Sequence, residues 1–426
     1  MIKFLHTADL HLGKVFYEQS LAEDQAAMLN DLVCLLRNDS YAALIIAGDV
    51  YDRSIPSPQA IELFGDFLGS VKRECPSLEI LVIPGNHDSA ARLGFGKELF
   101  ARLGIRFQTF AGDCDTPVIV EKDGEKCAFF LLPFLYPGVF EGDDSPLAEG
   151  ARSETSTRSQ AALAREAAHR TRKAREELAA RGVSYSVLAA HLFASGGAEA
   201  GSERVFVGTA EQVNISLFEG FDYIALGHLH RCQRVGENAW YAGSPLAYSF
   251  SETELQDDSG IRTQQEKFFL SVELTRDGAK VDKIPVTPSR RVTSVTGTFA
   301  RFAGTVPADT NPAAPGDNAL LAVKDDYLEI RLTDRGITEN ARDILRRRFP
   351  RLLSLRQDEA LAGLSGAREE GRAYGERLSG ERRNVSADFR DFLASLYGET
   401  DRADLPAEIE LFNALLAEVE AEKYSS

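Results

Sequence analysis

The chain has 426 residues, 44% of them hydrophobic, and a formal net charge of −17 at pH 7. It is too long for one ordinary domain, so two or three are expected, with apolar residues enough for real cores. No apolar run approaches the roughly 18 residues of a membrane span, and a uniformly basic, nucleic-acid-coating surface is excluded.

Charge is spread unevenly, however. Residues 151–182 carry eight Lys/Arg against four Asp/Glu, while 384–426 carry three against ten. A local basic face therefore stays compatible with DNA. Five cysteines, at positions 34, 75, 114, 127 and 232, form no CxxC pair, and the start shows no secretory signal pattern. Both features point to a reducing compartment, the cytoplasm.

In chain order, short apolar runs at 2–5, 43–47, 80–83, 186–190 and 223–226 each lead into a polar motif. They read as buried strands that deliver functional side chains at their carboxyl ends, where loops converge in α/β proteins. Alternation of such runs with helical patterns predicts an α/β domain over 1–286. Within it, 141–157 is polar and reads as an exposed loop, and the Ala/Arg/Glu-rich 159–181 as a helix. A β-rich stretch covers 240–286, its clearest strand starting at Phe268. Residues 287–360 read as a smaller α+β unit, with strands near 292–299 and 327–332, a helix near 339–348 and an irregular loop at 307–318. Five glycines among Arg and Glu mark 361–384 as a linker. Beyond it, 385–426 holds two amphipathic helical patterns, Phe389/Phe392/Leu393/Leu396 and Ile409/Phe412/Leu416/Val419.

Six of the seven histidines lie in or beside five short motifs. These are His6-Thr-Ala-Asp9-Leu-His11, Gly48-Asp49-Val-Tyr-Asp52-Arg53, Gly85-Asn86-His87-Asp88, Ala190-His191 and Gly227-His228-Leu-His230. Asp, Asn and His form an oxygen and nitrogen ligand set without thiolate, suited to Mn, Fe or Zn. Asp49 ends a buried strand beside Gly48 and is the candidate bridge between two ions. Asp9 and His11, two apart in one loop, can converge on one ion; Asn86 offers an amide oxygen, and His191, His228 and His230 add imidazoles. Two divalent ions about 3.5–4 Å apart clamp a phosphoryl group and yield hydroxide near neutral pH. Set against two aspartates and one hydroxide, they leave a charge of about +1, attractive to a phosphodiester even on an acidic protein.

The order D-x-H, G-D-x-x-D-R, G-N-H-D, H and G-H-x-H resembles the calcineurin-like metallophosphoesterase superfamily over roughly residues 1–250. Within it, the chain is similar to the nuclease subunits of bacterial ATP-dependent DNA-end-processing complexes. That similarity rests on His6-Thr-Ala-Asp-Leu-His-Leu-Gly-Lys14, Ala47-Gly-Asp-Val-Tyr-Asp52 with Pro56-Ser-Pro58, Ile224-Ala-Leu-Gly-His-Leu-His-Arg231 and Tyr241-Ala-Gly-Ser-Pro-Leu246 with Ser249-Phe250. The resemblance implies a β-sandwich flanked by helices, a capping domain at 287–360 and C-terminal helices. It further implies one ion, by family preference Mn²⁺, on Asp9, His11, Asp49 and His230, and a second on Asp49, Asn86, His191 and His228. His87 would face the scissile phosphate, stabilising charge or protonating the leaving oxygen, and Asp52 would orient it. The expected substrates are duplex ends, cut 3′ to 5′, and single-stranded or hairpin DNA. The expected partners are DNA, a second copy of the chain, and an ATPase of the structural-maintenance-of-chromosomes-like class on the C-terminal helices. Such a partner would bring ATP-driven control, since this chain has no GxxxxGK[ST] phosphate loop.

Other readings stand beside these. Asp52 also fits a loop cap or an ion pair with Arg53, and His6 a strand residue beside the site. His169 reads as a solvated helix residue, and Cys232 as inert. The basic 159–181 and Arg346-Arg-Arg348 fit either phosphate contacts or solvated helix surface. A phosphatase or cyclic-nucleotide phosphodiesterase would share every ligand, and a non-catalytic repair scaffold could keep the same fold.

Overall fold

The computed structural model describes residues 1–140, 159–197, 212–255, 260–304, 316–334 and 340–357, together with Phe412. Met1–Gln357 form one compact unit and Asp358–Ser426 a second. The expected loops at 141–157 and over most of 307–318, the linker at 361–384 and, Phe412 apart, the helical segment at 385–426 lie outside the described residues. Among the described residues no helix is long and apolar enough to cross a membrane.

Two six-stranded sheets form the body. In the first, Gly278–Val286, Lys267–Thr275, Ile2–Thr7, Ala43–Ala47, Glu79–Ile83 and Ile105–Phe107 lie side by side. In the second the order is Gln233–Arg234, Ala239–Tyr241, Tyr223–Gly227, Tyr185–His191, Glu125–Leu132 and Val118–Lys122. The five motif-bearing strands are all buried and central, and each pairs in parallel with a neighbour. Parallel strands covered on both faces read as unbroken apolar runs, which is why Ala-Leu-Ile-Ile-Ala at Ala43–Ala47 shows no alternation.

The period of two appears instead in which core each residue joins. Phe4, Ile45, Leu81, Phe129, Val187 and Tyr223 point between the sheets. Their neighbours Leu5, Leu44 and Ile80 face the opposite way, onto helices Ala22–Asn38 and Pro58–Glu74. On the second sheet Phe130, Leu188 and Ile224 face helix Gln160–Ala180. Pro58–Glu74 starts where the sequence dictates: Ser57 accepts from Ala60 N and proline takes the first turn, where no N–H is needed. Gln160–Ala180 buries one face between Ala162 and Thr171, and His169, Arg172 and Lys173 are exposed.

A third, five-stranded sheet runs Thr253–Leu255, Ile261–Gln264, Val292–Gly297, Tyr327–Leu332, Leu352–Gln357, around Phe302, Leu345 and Phe349. It does not begin at residue 287. Two of its strands come from 253–264, before the chain returns to the first sheet at Lys267.

The two large sheets come into close contact at the ends of Ala43–Ala47 and Tyr223–Gly227. A Cβ on Gly227 would sit 1.8 Å from the Ala47 carbonyl oxygen. Gly227→Ala is therefore expected at the upper end of the about 1–3 kcal/mol typical of overpacking. Urea unfolding of the metal-stripped variant measures this, and wild-type stability would contradict the close approach.

Candidate metal centre

All seven predicted ligands meet where the two sheets converge. Asp9, His11, Asp49, His191, His228 and His230 are each at most 5% exposed. Asn86 and His87 are half-buried at the mouth. Asp9, His11 and His230 present ligand atoms within 4.8 Å of one another, as do Asp9, Asp49 and His191. Asp49 lies between the two halves, its Oδ2 3.7 Å from His11 Nε2 and 3.6 Å from His191 Nε2.

Local backbone geometry makes this possible. Asp9, His11, Asp49 and His228 all have positive φ (53°, 44°, 48° and 112°). Such conformations cost of order 1–3 kcal/mol each in non-glycine residues and persist only where the surroundings impose them. Gly48 adopts φ +92°, and a Cβ there would meet His191 Nδ1 at 2.1 Å. The glycine of that motif thus serves both the turn and the approach of the imidazole.

The donor set fits cations, as its own hydrogen bonds show. His191 Nδ1 donates to the Ala47 carbonyl (2.9 Å), leaving the lone pair on Nε2. That lone pair faces Asn86 Oδ1 at 3.0 Å, and His228 Nδ1 faces the same oxygen at 3.1 Å. In the other half, His11 Nδ1 lies 3.5 Å from Asp52 Oδ1 and His230 Nδ1 3.8 Å from Glu252 Oε1. Carboxylates behind both rings favour a proton on Nδ1 of each, the tautomer that frees Nε2 for a metal, and the two Nε2 atoms stand 3.1 Å apart. The ring nitrogens and the Asn86 amide oxygen thus converge as a set of nitrogen and oxygen donors suited to a cation.

Electrostatics agree. Burial pushes His11 down to about 4 against the pull of Asp52 and Asp49. Burial, with His191 nearby, takes His228 to about 3. His191 is lowered by burial too. All three are neutral at pH 7, the form that binds metal. Burial alone would raise Asp49, but His191, His11 and His87 hold its carboxyl well below the usual range.

His87 packs edge-on against the His11 ring, with ring centroids 4.9 Å apart. Its main-chain N–H donates to Asp49 Oδ1 (2.9 Å), and its Nδ1 donates to the main-chain oxygen of Asp52 (2.9 Å). Nε2 is thereby turned to the site, 4.0 Å from Asp49 Oδ2. The Asp52 carbonyl thus helps orient His87, and a carboxylate oxygen of Asp52 lies within 4.8 Å of ring nitrogens of both His11 and His87. The carboxylate contacts Lys14 Nζ (2.7 Å), His11 Nδ1 and, at 3.8 Å, Arg53. His6 lies between the sheets, its Nδ1 3.0 Å from the Tyr223 hydroxyl, and is not among the converging groups.

Residues 2–232 match the calcineurin-like phosphoesterase family. The chain is 32% identical over 302 residues to the D subunit of the SbcCD nuclease of Staphylococcus saprophyticus subsp. saprophyticus, covering 70% of this chain and 72% of that protein. The chain belongs to the calcineurin-like phosphoesterases. Among solved structures it is similar to TT1561 of Thermus thermophilus (TM-score 0.33, 12% identical, 66% of this chain and 98% of that one). It is also similar to the calcineurin-like phosphoesterase YfkN of Bacillus subtilis (TM-score 0.31, 13% identical, 66% and 88%).

This phosphoesterase also relies on residues that the motifs did not single out for a role. Asp88 accepts from the main-chain N–H groups of Val50, Tyr51 and Gly85 (2.9–3.0 Å), tying two ligand loops together. Burial, with Asp49 adding to it, lifts its carboxyl to about 7 against those three donors. Gln25 braces the Asp9–His11 loop, donating to His11 O (2.7 Å) and accepting from Gly13 N (3.0 Å). Behind His230, buried Lys267 pairs with buried Glu252 and donates to His230 O (3.0 Å). Burial would raise Glu252, yet Lys267 and His230 hold it at about 2. Removing Lys267 alone would strand a buried carboxylate, at about 3–5 kcal/mol.

Asp52→Asn keeps the carbonyl that holds His87 but weakens the support of His11. The expected result is roughly 10- to 100-fold weaker metal binding, with a pH–rate profile of unchanged shape. Calorimetric Mn²⁺ titration alongside the profile checks it; an altered profile with intact metal binding would favour the carboxylate–His87 reading.

Proposed function

We propose that this phosphoesterase is a two-metal-dependent DNA nuclease that acts with an SbcC-type ATPase in DNA end processing, repair and recombination. The observation that carries the proposal is the 32% identity to an SbcCD nuclease subunit over 70% of the chain, joined to a site that retains His87. Asp9, His11, Asp49 and His230 would hold one ion, and Asp49, Asn86, His191 and His228 the other, with Mn²⁺ the proposed metal. Bound there, two divalent cations supply Lewis acidity and lower the pKa of water for in-line attack on a phosphodiester.

The chain's own part is orientation and proton transfer. The Asp52 carbonyl holds the Nδ1–H of His87, so Nε2 can carry a proton toward the leaving oxygen or stabilise its charge. Arg53 beside it has a 77% exposed side chain and is available to a backbone phosphate. Cleavage of duplex ends 3′ to 5′, and of single-stranded or hairpin DNA, is the proposed activity.

The C-terminal segment, 385–426, is the proposed site for the ATPase. A homodimer within a heterotetramer is proposed as well, supported by three large apolar side chains at four-residue spacing, Phe95, Leu99 and Leu103, that are 84%, 68% and 59% exposed. Five free cysteines fit the cytoplasm. Paired Leu99→Asp and Leu103→Asp substitutions are expected to yield monomers in sedimentation velocity; an unchanged dimer would place the interface elsewhere.

The nuclease reading is tested with metal-stripped protein, end-labelled duplex and hairpin DNA, and added Mn²⁺. Digestion should require Mn²⁺ and fall by roughly 10²–10⁴-fold in His87→Ala, with metal content unchanged. Hydrolysis of small phosphodiesters with no cleavage of DNA, even with the ATPase present, would favour the phosphatase or cyclic-nucleotide reading. Failure to bind metal at all would leave the scaffold.

A further inference from the structure

The two halves of the metal centre are supported differently. Asn86, His191 and His228 are held from within the sandwich. His191 Nδ1 donates to Ala47 O, His228 N to Asp9 Oδ1 (3.0 Å), and the Tyr136 hydroxyl to Asn86 O (3.2 Å). His11 and His230, which face one another through Nε2, are backed in part by groups that also hold the third sheet.

Behind His230 are Glu252 and Lys267. They sit where the chain leaves for the third sheet and where it returns: Glu252 directly precedes Thr253–Leu255, and Lys267 opens the strand that follows Ile261–Gln264. Their ion pair closes this neck, and Gln265 N donates to Glu252 O across it (2.9 Å). The same two side chains reach the histidine, Lys267 through the His230 carbonyl and Glu252 through Nδ1.

Behind His11 the path runs through helix Ala22–Asn38. Tyr327, on the third sheet, donates its hydroxyl to Asp24 Oδ2 (2.6 Å), and Arg290, at the sheet's entrance, donates to the same oxygen (3.0 Å). Arg290 also pairs with Glu23 (3.0 Å). The next residue is Gln25, whose amide binds the main chain of His11, Leu10 and Gly13. Displacing Asp24 therefore moves Gln25, and with it the loop that carries His11.

We infer that the third sheet is a clamp on one half of the metal centre. Its two latches, Glu252–Lys267 and Arg290/Tyr327–Asp24, position His230 and His11 and so set the affinity of the ion those histidines share. Asn86, His191 and His228, which would hold the other ion, are supported from within the sandwich instead. Glu252, Lys267, Asp24, Arg290 and Tyr327 are positioning residues. The inference rests on the two-ion centre proposed above but not on the substrate.

The test is Mn²⁺ titration of the metal-stripped full chain by calorimetry, with electron paramagnetic resonance to separate isolated ions from a coupled pair. Two variants open the latches: Tyr327→Phe with Arg290→Gln, and Glu252→Gln with Lys267→Met, the second removing both charges together. Tyr327→Phe alone keeps the ring packing and serves if the double variants do not fold. Arg331→Gln is the control, breaking a third-sheet ion pair (Arg331–Glu329, 2.8 Å) that belongs to neither latch. Each latch variant should lose about 10- to 100-fold in affinity for one ion and none for the other. At intermediate Mn²⁺ the coupled signal should give way to that of an isolated ion. Equal weakening of both ions, no weakening in a folded variant, or the same loss in Arg331→Gln would overturn the clamp. Wild-type protein that binds fewer than two ions would instead overturn the two-ion centre, and the clamp with it.

Discussion

At the site, the main-chain carbonyl of Ala47 is a point of close contact between the two large sheets. It accepts the Nδ1 proton of His191 from the second sheet and lies against the Cα of Gly227, where no side chain would fit. One oxygen thus limits the side chain at Gly227 and orients an imidazole. It also presents Gly48 and Asp49 to the groups opposite. Every other converging side chain reaches the site from a loop whose strand is locked in parallel register with one of these two.

Such a site is costly to build. Four of its residues are held at positive φ, imidazole nitrogens are packed 3.1 Å apart, and buried histidines are kept neutral. The compensating structure is a shell of polar side chains with dedicated partners: Asp88 across two loops, Gln25 under the first, and the Glu252–Lys267 pair behind His230. Strain concentrated at one point, with rigid support around it, is the arrangement expected of a preorganised metal centre.

What was legible in the sequence follows from the same physics. The five strands could be read because an apolar run that ends in Asp or His brings a polar group to the edge of a core, and these carboxyl ends do meet in space. The converging residues could be read because metal chemistry constrains residue type. The supporting shell was not legible: Glu252 and Lys267 are fifteen positions apart in a stretch without a motif, and become a pair only when the third sheet folds. The contact of the Asp52 carbonyl with His87 was not legible either, because a main-chain carbonyl leaves no mark on residue identity. The first two strands of the third sheet, three and four residues long, are too short to show a period.

The most direct test of the two-ion centre is an anomalous-scattering map from crystals of the full chain grown with Mn²⁺. Two peaks sharing Asp49 are predicted, one within coordination distance of Asp9, His11 and His230, the other of Asn86, His191 and His228. A single peak, or peaks held by other residues, would contradict it.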